Sequence, residues 1–511
     1  MKKLIAVALA ALSLSSFAAW EKVGTLQVAN MSEIGTAATK IGTFVGNPMA
    51  SAMIAGALAD MPMIKFFGPM REGQAMVLTL FVDAKMLGEA PASALETPEY
   101  AILYPMSKTK EEFLAMHKGA VEEDGFIVIK ESAVGDDDDV DDEDEEDDED
   151  VEITYVRFSK DGKWAAASDK KSQVPQALED IAIAVKAMDG DVARLRIGEK
   201  AMKAIVASAA KEEKADPNVI ELLKSVAGCT CGVRVSDRGV DFRGFVKPVA
   251  GSELSKSCLI PLGADPLAFA GKSAVFATAQ AENVSSAGEQ VKANWARVTE
   301  LLKKHGIDLA RFMTMKSDAG KDTFSIKVAE IAKVAQAGGA TNEFTKLDVE
   351  ALIKDVQELP SDKFTAKGPA YAQVVELEGF ESQWSVQERF AATLPEAAGK
   401  KPAHVTFFSL SSVLKAAFQQ ALAATPEEQR AALKPVFDQM GAETKCGIAG
   451  MSWAEKDKGA LRFFCRIAGD EFKVVGNASG ALMMMAMTGG TGMMQAGPSS
   501  FDDDDEDDDE D

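Results

Sequence analysis

Apolar residues fall at every second position over residues 76–82 and again over 323–328, as a half-buried β-strand requires. These two stretches close longer blocks that align without a gap. MIKFFGPMREGQAMVLTLFV from Met63 lies on LARFMTMKSDAGKDTFSIKV from Leu309, pairing Phe66 with Phe312, Leu78 with Phe324 and Leu80 with Ile326. Three further blocks recur in the same order: Ile34, Ala37 and Ile41 against Val284, Ala287 and Val291; GDVARLRIGEKAMKAIV against PAHVTFFSLSSVLKAAF; and Cys231-Gly232 against Cys446-Gly447. A repeat this long means two domain-sized copies rather than a solenoid of short units.

Each copy reads as a strand (25–29; 274–279) leading into a helix (32–44; 284–304), then the aligned block. Strands at 100–104 and 126–130 and a helix at 110–118 follow in the first copy only. Both copies then run helix, strand, helix, helix and hairpin: 174–188, 192–197, 200–210, 218–226 and CGVRVSDRGVDFRGFV in the first; 386–394, 404–408, 412–423, 426–440 and a hairpin around residues 456–459 in the second. The expected fold is α+β: two tandem homologous lobes, each a mostly antiparallel sheet with helices packed on it. The boundaries are residues 1–18 as a signal peptide, 19–260 as lobe 1, 271–480 as lobe 2, and 481–511 as a Met/Gly-rich, polyacidic tail.

The signal-peptide reading rests on Lys2 and Lys3, an apolar run from Leu4, and small residues at Ser16 and Ala18. That run is shorter than the roughly 20 residues a spanning helix needs, and no other stretch is long and apolar enough. The chain is therefore expected to be exported, periplasmic or extracellular, with no transmembrane segment after cleavage.

Charge changes the picture less than the formal value of −25 suggests. Residues 136–150 hold 14 carboxylates and 502–511 hold ten, so the other 56 acids nearly balance the 55 bases. Such runs repel themselves and bury no apolar surface, so residues 135–152, an insertion in lobe 1, and the tail are expected to be disordered low-complexity segments. They give solubility and weak, diffuse binding of divalent cations, since no loop fixes the carboxylates. A nucleic acid partner is excluded for want of clustered Lys and Arg.

Five cysteines in an exported chain favour disulfides. Cys446 and Cys465 flank the second hairpin and are expected to bridge across it. Among Cys229, Cys231 and Cys258 three pairings stay open.

Candidate chemistry is sparse. The chain has no H-E-x-x-H, G-x-S-x-G, phosphate loop or dinucleotide fingerprint. Its three histidines stand apart: His117 and His305 at helix ends, His404 at the start of a strand. Of 23 methionines, one cluster lies between Met49 and Met70 and another between Met483 and Met494. Thioethers bind Cu(I), but apolar packing and a pliable surface are the plainer roles. No catalytic, cofactor-binding or metal residue is assigned, and no cofactor. The expectation is a non-enzymatic binding or structural protein of the cell envelope or extracellular space, its ligand or protein partner unidentified. Two alternatives remain: a carrier of an apolar ligand between the lobes, or an enzyme with a carboxylate-based site in the cleft.

Overall fold

In the computed structural model the described residues are 20–46, 56, 62–89, 99–132, 151–186, 188–211, 217–252, 254–255, 260–281, 287–318, 320–336, 348–357, 371–425, 427, 430–431, 434, 443–455, 459–474 and 476. The signal-peptide reading, both acidic runs, the second methionine cluster, most of the first and Cys258 lie outside them.

The N-terminal strands are β1 (Trp20–Val28), β2 (Met76–Asp83), β3 (Glu99–Pro105), β4 (Val121–Glu123), β5 (Phe126–Ser132), β6 (Val151–Phe158), β7 (Trp164–Ser168), β8 (Ala193–Ile197), β9 (Val226–Ser236) and β10 (Gly239–Pro248). The C-terminal strands are β11 (Ala274–Gln280), β12 (Met313–Asp318), β13 (Lys321–Ile326), β14 (Tyr371–Leu377), β15 (His404–Phe408), β16 (Ile448–Glu455) and β17 (Ala460–Ala468). Among the described residues these 17 strands make one sheet. Its order is β4-β5-β6-β7-β3-β2-β1-β8-β9-β10-β17-β16-β15-β11-β14-β13-β12, and every pairing is antiparallel except β13 with β14. The α+β class and the mostly antiparallel pairing are as expected; one sheet running through both halves by way of β10 and β17, in place of a separate sheet for each lobe, is not.

The halves share part of their order. Hairpin β9–β10, then β8, then β1 run outward from the centre on one side; β16–β17, β15 and β11 do so on the other, with β10 pairing β17 from Gly239 opposite Ala468 to Val246 opposite Leu461. Beyond that they part. β2 is the neighbour of β1, whereas β14 separates β13 from β11, although the sequence aligns β2 with β13.

Helices form where caps and apolar spacing coincide. They are α1 (Met31–Val45), α2 (Pro62–Phe67), α3 (Ala84–Glu89), α4 (Lys110–Met116), α5 (Gln173–Leu178), α6 (Ile181–Ala184), α7 (Glu199–Ala209) and α8 (Pro217–Lys224), followed by α9 (Ala287–Lys304), α10 (Leu309–Phe312), α11 (Val328–Gln336), α12 (Val349–Gln357), α13 (Val386–Thr393) and α14 (Leu410–Ala424). Thr109 with Glu112, and Ser385 with Glu388, close reciprocal capping boxes at α4 and α13. The single helix expected at 174–188 is instead α5 and α6, because Asp180 between them turns its carboxylate to the Thr79 hydroxyl and the Lys22 ammonium. In the N-terminal half helices cover both faces of the sheet: α2 and α4 pack with Tyr104, Ile127 and Ala165 on one, α5 and α6 with Leu103, Trp164 and Ala166 on the other.

The expected Cys446–Cys465 bridge does not form. Ile448 pairs with Ile467 and Gly450 with Cys465, so Cys446 falls before the strand and four residues out of register with Cys465. Both sulfurs are free thiols, as are those of Cys229 and Cys231. A disulfide needs Cα atoms within roughly 7 Å, and four residues of strand exceed that distance.

Candidate functional site

Tyr104 on β3 donates its hydroxyl to the Gly68 carbonyl at 2.6 Å, and His117 Nε2 meets the Phe66 carbonyl at 2.9 Å. These two bonds fasten α2 over the sheet, with Phe66, Phe67, Phe113 and His117 stacked at ring separations from 4.6 to 6.0 Å. His117 is thus an anchoring side chain in an aromatic cluster. Beside the anchored helix a groove of about 960 Å³ opens on the sheet face. Met63 and Phe66 line one wall, and Ile102, Thr154 and Ala167 of β3, β6 and β7 line the floor.

One end of the groove is charged. Glu99 is buried, 3.7 Å from Lys170, which also pairs with Asp169 at 3.1 Å. Burial pushes the Glu99 carboxyl above its usual range, and the Asp169 charge adds to the rise. The arrangement offers an apolar body site and a polar head site, where the Ser168 hydroxyl lies 3.2 Å from Asp169 Oδ1.

A second polar assembly is largely buried. Arg389, Ser409, Ser411 and Ser412 are fully buried, with Glu443 and Glu471 at 2 % exposure. Ser409 caps α14 and accepts from Arg389, while the Ser411 amide and hydroxyl both donate to Glu471 at 3.1 Å. Lys415 pairs with Glu443 at 2.9 Å. Burial raises the Glu471 pKa. Carboxylates therefore converge here with a shifted ionisation, but inside packed protein, where they tie α13, α14 and the chain after β17 to the sheet.

The third assembly was not foreseen from sequence. Period-two alternation places six arginines on one face of the four central strands: Arg194 and Arg196 of β8, Arg234 of β9, Arg243 of β10, and Arg462 and Arg466 of β17. Asp191 holds Arg194 and Arg243, both at 2.7 Å. Asp241 lies in register between Arg234 and Arg466, at 2.7 and 2.6 Å, and Glu455 holds Arg462 at 2.8 Å. Arginines an even number of positions apart, two in ARLRI and four in LRFFCRI, are the signal that would have revealed it.

The remaining candidates are scattered. His305 pairs with Asp355 at 2.9 Å at the end of α9, and His404 sits on β15 against Thr278. No group of three or more His, Cys, Asp or Glu side chains suited to a metal ion occurs among the described residues. Between the two halves lies a cavity of about 400 Å³ whose lining includes Phe44 and Pro395 but also Asp237, Arg238, Asp470 and Lys473. No helix among the described residues is long and apolar enough to cross a membrane. No protein-family model, curated protein or solved structure matches the chain.

Proposed function

We propose that this chain is an exported, non-enzymatic binding protein whose groove beside α2 takes an amphipathic small molecule. The observation that carries the reading is the groove itself. Its volume of about 960 Å³ lies within the several hundred to roughly 1,000 Å³ typical of small-molecule sites. Met63, Phe66 and Ile102 supply apolar surface, and the Glu99–Lys170 end supplies the few polar groups that orient a ligand. Among the described residues the buried Glu471 and Glu443 are already engaged by Ser411 and Lys415, which supports a structural role for that cluster and binding over catalysis. In this reading the carrier's apolar site belongs to the N-terminal half rather than to the junction, whose cavity is charged.

The reading includes two copies of one ancestral unit, supported by the shared order β10-β9-β8-β1 and β17-β16-β15-β11. The acidic tracts act outside this framework as hydrated polyanions that keep the protein dispersed and bind divalent cations weakly. The test is uptake of an uncharged fluorescent probe such as N-phenylnaphthylamine by the full chain and by Thr154→Trp, which fills the groove from a half-buried position. Saturable uptake lost in the variant supports the reading. Uptake equal in both proteins, or absent from both, sinks it.

A further inference from the structure

Of the six arginines on the central face, five are matched by carboxylates and Arg196 is not. It has no hydrogen bond or ion pair among the described residues, although it is half-buried. It lines a second groove, of about 530 Å³, with Lys22, Thr25, Thr230, Phe245 and Lys247. Cross-strand register sets Thr25, Arg196, Thr230 and Phe245 side by side on β1, β8, β9 and β10. Thr230 and the main chain of Gly228 leave the middle of the groove low, since a side chain at Gly228 would strike the Ile197 carbonyl at 2.9 Å. Phe245 is 38 % exposed beside them.

The carboxylates near this groove make their direct contacts elsewhere, and Asp180 and Glu199 act on Arg196 and Lys247 only from beyond contact distance. Lys22 is committed to Asp180, which also accepts from Thr79, and Glu199, the acid in the lining, is held by Lys203 at 2.9 Å. Arg196 and Lys247 remain as cations without a committed partner among the described residues. A guanidinium presents a planar fork matched to a carboxylate; Arg196 feels the Asp180 charge only from beyond contact distance, and a half-buried guanidinium with no carboxylate in direct contact favours an anion supplied from outside. Exposed Phe245 offers a face for an apolar or aromatic body.

We infer that the groove between β1 and β10 is a second binding site, for a small organic carboxylate whose anionic group meets Arg196 and Lys247 and whose apolar body lies on Phe245. It shares no residue with the groove beside α2, so either can be present without the other.

The experiment is fluorine NMR of 4-fluorobenzoate with the full chain, displaced by benzoate, on the unsubstituted protein, Arg196→Gln, Arg196→Lys and Lys247→Gln. Saturable broadening is expected, weakened about tenfold by Arg196→Gln, the scale of losing one charge-assisted contact, and less by Arg196→Lys. Lys247→Gln, at an exposed position that cannot disturb the core, is expected to weaken it severalfold. Fluorobenzylamine, of opposite charge, should not bind. Absence of saturable binding to the unsubstituted protein, equal binding of the amine, or full affinity in a folded Arg196→Gln overturns the proposal. Should Arg196→Gln fail to fold, unchanged affinity in Lys247→Gln overturns it.

Discussion

Arg466 of β17 grips Asp241 of β10 through two nitrogens, Nε to Oδ1 at 2.6 Å and Nη2 to Oδ2 at 3.1 Å, across 225 residues of sequence. Asp241 is fully buried and Arg466 is 1 % exposed, so the pair sits inside the seam that joins the two halves into one sheet. Arg234 from β9 completes the charge on Asp241, and Glu396 contributes a second carboxylate to Arg466 at 3.1 Å. Removing one partner from a buried, fully bonded pair leaves a desolvated charge, which is the expensive case.

Asp241→Asn is therefore expected to cost about 3–5 kcal/mol, read as a fall in the denaturant midpoint. Glu455→Gln, which breaks the more exposed pair with Arg462, is expected to cost less than about 1 kcal/mol. Equal effects from the two changes would contradict the assignment of the seam to Asp241.

Gly232 leaves the space in which the Asp191 carboxylate sits. A Cβ there would lie 2.3 Å from Asp191 Oδ2, pushing the carboxylate off Arg194 and Arg243. Gly232→Ala is expected to destabilise by about 1–3 kcal/mol, the range for forced overpacking. Gly35→Ala, in α1 with open space around it, is expected to stabilise by about 0.5–1 kcal/mol through a less free unfolded chain. Thermal melting of the two variants gives the comparison, and shifts of the same sign would refute it.

His404 should make stability depend on pH. The Thr278 hydroxyl donates to the Val405 carbonyl at 2.9 Å, so it accepts from His404 Nε2 at 3.1 Å, which places a proton on Nε2. Burial lowers the His404 pKa below its ordinary 6.5. The folded chain then binds fewer protons than the unfolded one as pH falls past 6.5, and stability drops by up to about 1.4 kcal/mol per pH unit until the folded-state value is reached. His404→Gln should lose this component. The stability gap between the two proteins, measured from pH 7.5 to 5, should move in favour of the variant at low pH.

The cysteines give a direct check on register. Cys446 and Cys465 should both alkylate in denaturant without reductant, and slowly in the native state, because burial raises both thiol pKa values. A mass showing the two sulfurs linked would mean that the β16–β17 pairing is displaced from Gly450 opposite Cys465.

Much of the local structure was legible in the chain. Apolar residues at every second position marked β2 and β13, Asp161-Gly162 sits at the turn joining β6 to β7, and T-x-x-E and S-x-x-E boxes sit where α4 and α13 begin. The hairpin around residues 456–459 was also placed correctly, yet the disulfide drawn across it was not, because a turn's position does not fix which residues face each other. Of the candidate site, Met63 and Met70 in the first methionine cluster were read as packing, and Met63 does pack there, at the groove wall. Glu99, Lys170 and Arg196 carried no local mark.

The sequence by itself determined much of the local structure, including the strands β2, β3, β5, β8 and β15 and the helices α1, α4, α7 and α14, because these depend on residues a few positions apart. Only the tertiary structure decided that β10 would pair with β17, that Asp241 would meet Arg466, and that Arg196 would be left without a carboxylate. Those outcomes depend on strand order and register between segments far apart in the chain, where a slip of one residue reverses every side chain.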